Sequence, residues 1–244
     1  MATEQSLGFS HFLSQTDGLG TTLFVLLAFM SLASWYFIIA KGITYFRQRR
    51  ASEQFVEMFW NASTIEEVKN EITTHGAQEP FSHLTSHALY TAEHHDRTGS
   101  GKLGDAGSLG DLLTRSMRKV LDEETSHLEN GLTLLATVGA TAPFVGLLGT
   151  VWGVYGALVA IGMSGAGTLD KVAGPVGEAL IMTGLGLAVA LPAVIGYNAF
   201  TRANRVTMAR LDAFAHDLFS YLTTGSQVAQ TPSATRVRNI SGAA

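Results

Sequence analysis

Glu178-Ala-Leu-Ile-Met-Thr183-Gly-Leu-Gly-Leu-Ala-Val-Ala-Leu-Pro192-Ala-Val-Ile-Gly-Tyr-Asn-Ala-Phe-Thr201 opens on a carboxylate and then runs 23 residues, 179–201, without a charge. About 20 apolar residues at roughly 1.5 Å each are enough to cross the hydrocarbon of a bilayer. The stretch therefore reads as a membrane-spanning helix, and Val172–Gly177 before it is uncharged too. A bare carboxylate there is costly unless it faces a bundle interior or a water-filled pore, or is protonated. Glu178 is thus a candidate functional residue. The bland alternative places it at the interface, within a turn or two of the external surface.

Two further charge-free runs lie upstream. One covers 18–40, between Asp17 and Lys41; the other covers 130–169, between Glu129 and Asp170. Charged residues make up 15% of the chain, against about 25% in a soluble domain. The expected class is an all-α membrane protein with three transmembrane helices and long cytoplasmic helical extensions. With no cysteine in the chain, disulfides, thiolate catalysis and cysteine metal sites are excluded. A net charge of −4 gives no argument for nucleic acid. Residues 1–18 carry Glu4 and Asp17 but no lysine or arginine, so the basic region of a secretory signal is missing. The first apolar run reads as a retained helix.

Basic residues set the topology. Of 16 lysines and arginines, 15 fall in 41–129 or 202–244, and only Lys171 lies elsewhere. The expected order is an external N-terminus (1–18), helix one (19–40) and a cytoplasmic segment (41–129) with a Gly-rich loop at 96–110. Helix two (130–161), a short periplasmic loop (162–173) and helix three (174–200) follow. An amphipathic cytoplasmic helix (201–224) and a disordered tail (225–244) complete the chain. Phe9 and Phe12 are candidates for the outer interface, and Trp35 and Tyr36 for the inner one. Lys41, Arg47, Arg49, Arg50, Arg202 and Arg205 flank the inner leaflet, where they serve topology and suit anionic lipid.

Soluble stretches carry their own patterns. Phe55, Phe59 and Trp60 recur near helical spacing, and Ser63-Thr-Ile-Glu66 has capping-box spacing. Leu113, Met117, Val120, Leu121, Leu128, Leu132 and Leu135 keep one stripe, which predicts a helix running unbroken from about 112 to 161. Such a helix would be about 75 Å long. Pro175 suits the first position of the third span. Leu211, Phe214, Ala215, Leu218 and Leu222 form an apolar face that needs a partner.

Within the spans, Gly146, Gly149, Gly153 and Gly156 form a small-residue surface of the kind that lets membrane helices approach closely. Packing accounts for them, and a phosphate loop does not, since the Lys-Ser/Thr is missing. Pro143 and Pro192 each free a backbone carbonyl and can kink a span. Thr150 and Thr183 put hydroxyls inside spans two and three, where the usual fate is a bond to the i−4 carbonyl. On an ideal helix Glu178 and Thr183 are about 140° apart, so they do not share one narrow stripe. His83 and His87, with His94 and His95 nearby, have spacing that suits zinc, but residue 84 is leucine and HExxH is absent. A solvated helix face is the favoured reading. No catalytic triad or paired carboxylates are readable, so no enzyme, cofactor or metal is expected.

Ala142-Pro-Phe-Val-Gly-Leu-Leu-Gly-Thr-Val-Trp-Gly153 and Ala173–Asn198 resemble the signature of the MotA/TolQ/ExbB proton-channel family. The resemblance is specific over about 128–205, and the three-span layout extends it to most of the chain. It implies a homopentamer in a bacterial inner membrane, with spans two and three around a central pore. Thr150, Glu178 and Thr183 match the family's pore-lining positions. It also implies a partner, ExbD, whose aspartate takes up protons, and TonB, energised for uptake of siderophores and vitamin B12. Another family branch serves outer-membrane integrity and envelope constriction. A scaffold without a transport role, with Glu178 as an assembly residue, is the competing reading from a different class.

Overall fold

The computed structural model describes residues 18–98, 108–164 and 169–225. Every element among them is α-helical: α1 Gly18–Asn61, α2 Ile65–His75, α3 Pro80–Thr98, α4 Leu109–Glu129, α5 Leu132–Ser164 and α6 Leu169–Thr224. Three stretches are long and apolar enough to cross a membrane: Gly18–Asn61, Leu109–Met163 (counted across the α4–α5 turn) and Ala179–Thr224. Phe9 and Phe12, most of the Gly-rich loop and the tail after Gly225 lie outside the described residues.

The chain divides into two compact units. The first comprises residues up to Arg47 and Glu129–Asn204; the second comprises Gln48–Leu128 and the residues from Arg205. Both α1 and α6 contribute to each. Arg47-Gln-Arg-Arg50 does not interrupt α1, because charge on a solvated face leaves helical backbone bonding intact.

In the first unit, α1, α5 and α6 bury Leu23, Leu27, Val138, Ala142, Met182, Val189, Ala190 and Ala193 against one another. Their outer faces stay apolar and exposed: Phe29 is 69% exposed, Leu32 72%, Phe144 70% and Ile195 67%. A surface of that kind suits lipid or protein rather than water. Trp35 and Tyr36 are among the exposed residues.

The expected unbroken helix from 112 to 161 is interrupted. A two-residue turn at Asn130-Gly131 separates α4 from α5, with Gly131 at φ 78°. Only glycine adopts that conformation without steric cost. A Cβ on Gly131 would also fall 2.7 Å from the Phe37 ring. The third helix likewise departs from expectation, starting at Leu169 rather than near Pro175. Pro175 sits in its second turn, where its missing N–H leaves only the Lys171 carbonyl without a helical donor.

In the second unit, helix ends are fixed by local chemistry. Thr64 caps α2, its hydroxyl accepting from the Glu67 N–H at 3.3 Å, while the Ser63 N–H donates to Glu67 Oε2 at 3.1 Å. The cap is thus one residue later than Ser63–Glu66. Ser63-Thr-Ile-Glu-Glu67 offers both registers, and the later one places Val68 in the core. Gly76 ends α2 at φ 77°. Glu79 caps α3 ahead of Pro80: its carboxylate accepts from the Phe81 N–H at 2.9 Å, the Ser82 N–H and the Ser52 hydroxyl at 2.9 Å. Ser108 caps α4, accepting from the Asp111 N–H at 3.3 Å and donating to Asp111 Oδ2 at 3.0 Å.

The partner that the apolar face of α6 needs is an aromatic core. Phe214 lies edge-on to Phe59 at 5.2 Å and to Phe81 at 5.4 Å, with Trp60 at 6.1 Å. Leu84, Leu113, Val120, Leu211 and Leu218 are fully buried beside them. Lys69 bridges α2 to α3 through Glu93 and also holds Glu66 at 3.2 Å. The hydrogen bond to Glu93 raises the Lys69 ammonium above its ordinary 10.5.

Candidate functional site

Three of the four glycines singled out on α5 contact α6. A Cβ on Gly146 would lie 2.6 Å from the Met182 carbonyl oxygen and 3.0 Å from Gly186 Cα. On Gly186 it would meet the Ala142 carbonyl oxygen at 2.6 Å and Gly146 Cα at 3.0 Å. The two backbones therefore touch at a glycine–glycine crossing. Gly149 packs on Met182, and a Cβ on Gly153 would fall 2.8 Å from Ala179 Cβ. Gly156 faces open space. Gly139 against Val194 and Gly196 against Ile38 continue the close packing. The sequence reading omitted Gly139, Gly186 and Gly196, although Ala142-xxx-Gly146 and Gly186-xxx-Ala190 carry the same small-residue spacing.

The crossing brings Thr150 and Thr183 together. Their hydroxyls are in direct hydrogen-bond contact. Thr150 Oγ1 also lies 3.2 Å from its own i−4 carbonyl at Gly146 and 3.1 Å from the Ala179 carbonyl on α6. Each hydroxyl has one proton to donate and can accept. One consistent arrangement has Thr183 donating to Thr150 and Thr150 donating to Ala179. The alternative has Thr150 donating to the Gly146 carbonyl of its own helix. Rotation of the Thr150 O–H exchanges these arrangements without moving a heavy atom. Both threonines are partly exposed, so the pair borders accessible space.

Glu178 immediately precedes Ala179 in α6; only its helical backbone is described, and its side chain lies outside the described residues. Pro143 lies inside α5 and Pro192 inside α6, both partly exposed. Arg47, Arg49, Arg50, Arg202 and Arg205 are exposed. Arg49 Nε pairs with Glu53 at 3.1 Å. Lys41 is partly buried, its Cε 3.8 Å from where a Gly131 Cβ would stand.

Two of the α3 histidines meet neighbouring side chains. His83 Nδ1 lies 2.7 Å from Glu124 Oε1 on α4, and the His83 and His87 rings meet edge-on at 4.8 Å. Among the described residues, no three histidine or carboxylate side chains converge as a metal set would.

The chain is 41% identical over 235 residues to a biopolymer transport protein ExbB of Xanthomonas campestris pv. campestris (strain B100), an alignment covering 93% of each. It is 36% identical over 196 residues to an ExbB of Neisseria meningitidis serogroup A, covering 80% of this chain and 88% of the relative. It is also 32% identical over 192 residues to a Tol-Pal system protein TolQ of Pseudomonas aeruginosa, covering 79% and 82%. Residues 65–213 match the MotA/TolQ/ExbB proton channel family. With three helices long and apolar enough to cross a membrane, this chain belongs to the MotA/TolQ/ExbB proton channel family.

Proposed function

We propose that the chain is an ExbB-type subunit of a bacterial inner-membrane motor. With ExbD it uses the proton-motive force to energise TonB for uptake of siderophores and vitamin B12. The observation that carries this reading is the Thr150–Thr183 hydroxyl contact, with its cross-helix bond to Ala179 next to Glu178. It lies in helices whose motifs match the family, in a chain 41% identical to an ExbB.

Moving one elementary charge across about 100 mV is worth about 2.3 kcal/mol. That is enough to bias a helix between two packings. Glu178 holds or releases a proton, the hydroxyl pair relays hydrogen bonding beside it, and the partner helix answers the change. Glu178 and Thr183 are about 140° apart on an ideal helix, so they do not line one narrow stripe. The assembly proposed is a homopentamer, with α5 and α6 of each copy around a central pore. Five acids in one ring would repel one another, and polar contacts with the partner helix would offset that cost. The N-terminus is periplasmic, residues 41–129 and the C-terminus are cytoplasmic, and the basic residues flanking the spans meet anionic lipid.

A TolQ-type role in outer-membrane integrity and envelope constriction is the second reading, favoured by the 32% identity to TolQ. Siderophore-dependent growth of an iron-starved strain lacking ExbB separates them. The strain would carry this chain or its Glu178→Ala variant, at equal abundance, with the matching ExbD and TonB. Growth with the wild type alone is expected. Growth with both demotes Glu178, and growth with neither moves the assignment to the TolQ branch or to a scaffold.

A further inference from the structure

The second unit holds an open cavity of about 430 Å³ between the second half of α1, the end of α2 and the start of α3. This is within the size range of small-ligand sites. Phe55, Met58 and Ile72 form its apolar wall, and Glu71, His75 and Glu79 its polar one. The residues lining it include two carboxylates and neither lysine nor arginine.

Three features set its charge preference. Glu79 is 6% exposed and is held in place by its bonds to the Phe81 and Ser82 N–H groups and the Ser52 hydroxyl. Glu71 is about half exposed and pairs with His75 at 3.0 Å, one helical turn on. The final turn of α2, with Ile72, His75 and Gly76, also faces the cavity, and a helix C-terminus carries partial negative charge. Glu71 and the end of α2 favour a cation, while the charge of Glu79 is met in part by the α3 N–H groups it caps. The apolar wall favours one on an alkyl stem, since long basic side chains lay their methylenes along apolar surface and keep the charged head on polar groups.

We propose that this cavity receives an arginine side chain presented by a partner protein. Its guanidinium sits between Glu71 and Glu79, and its methylenes lie on Phe55, Met58 and Ile72. A guanidinium matches the carboxylate fork of Glu71 in a way an ammonium does not, and its arrival displaces His75 from that carboxylate.

Agmatine, a guanidinium on a four-carbon amine, is the first probe. Its binding to the full-length chain in detergent is measured by equilibrium dialysis. A peptide Gly-Ser-Arg-Ser-Gly and its citrulline counterpart form the second arm. Saturable binding of agmatine and of the arginine peptide, but not of the citrulline peptide, is expected. Glu71→Gln should weaken it about tenfold, the scale of one lost charge-assisted hydrogen bond. Glu57→Gln, an exposed acid outside the cavity, should leave it unchanged. Met58→Ser removes apolar surface from under the stem and should weaken it as well. Binding that does not saturate, that ignores Glu71→Gln, or that falls equally with Glu57→Gln overturns the proposal. Binding of agmatine without the peptide overturns the assignment to a protein partner.

Discussion

Gly146→Ala adds one methyl where two helix backbones touch. Its carbon would stand 2.6 Å from the Met182 carbonyl oxygen, against 3.4 Å for the start of ordinary contact, so α5 and α6 must part by roughly 0.8 Å there. The obstructing atoms are backbone, which cannot rotate away as a side chain would. Overpacking of this sort costs about 1–3 kcal/mol. Alanine's better helix propensity returns up to about 1 kcal/mol, so the control must carry the same gain. Gly156→Ala does, because its methyl enters open space. The comparison is thermal unfolding of the two variants in the same detergent. For a chain of this length each kcal/mol is worth about 2–4 °C, and Gly146→Ala should melt lower than Gly156→Ala by that amount per kcal/mol of clash. The Thr150–Thr183 contact lies one helical turn away, so its exchange protection should fall in Gly146→Ala alone. Equal melting temperatures would refute the crossing.

Phe214→Ala removes the ring shared by Phe59, Trp60 and Phe81, and should cost about 3–5 kcal/mol; Trp60 fluorescence in a Trp35→Phe, Trp152→Phe background reads it, and a loss below about 1 kcal/mol would contradict the aromatic core. Thr150→Val keeps the shape but deletes a hydroxyl. Its bonds to Thr183 and to the Ala179 carbonyl are lost, so the stability cost should be about 1 kcal/mol, measured by unfolding in detergent. Lys69→Met tests the α2–α3 bridge through pH. The folded ammonium is raised above 10.5 by its bond to Glu93, so its stabilisation is fully present below pH 10.5 and is lost as pH rises through the folded value. The stability gap between wild type and Lys69→Met should be flat between about pH 6, where the carboxylates are ionised, and about pH 10, and shrink above it; a gap that grows there would reverse the sign.

Much of this was legible in the residues. The stripe at Leu211, Phe214, Ala215 and Leu218 is a strong helical period, and all four are buried. Charge-free runs marked the spans because hydrocarbon excludes charge whatever the tertiary detail. Thr150 and Thr183 were visible as hydroxyls in apolar helices, but their meeting was not, since it depends on which turn of α5 crosses which turn of α6. Gly186 decides that crossing and was hidden among the many glycines. The turn at Asn130-Gly131 was signalled by its dipeptide and lost beneath the apolar stripe on either side. Ser63 and Thr64 carry equivalent capping spacings, and only the packing of Val68 chooses between them. Glu79 gave no signal of burial, because a glutamate before a proline reads as a solvated loop until Ser52 is brought beside it.

The central claim is that Thr150 and Glu178 border the path along which protons do work. It is tested most directly by proton flux in liposomes holding this chain with ExbD, under an imposed pH gradient and membrane potential. Wild type, Thr150→Val and Glu178→Gln would be reconstituted at equal amounts. The account predicts flux with the wild type, a loss of about tenfold with Thr150→Val, the equivalent of roughly 1.4 kcal/mol at the barrier, and a larger loss with Glu178→Gln. Equal flux through all three would contradict it.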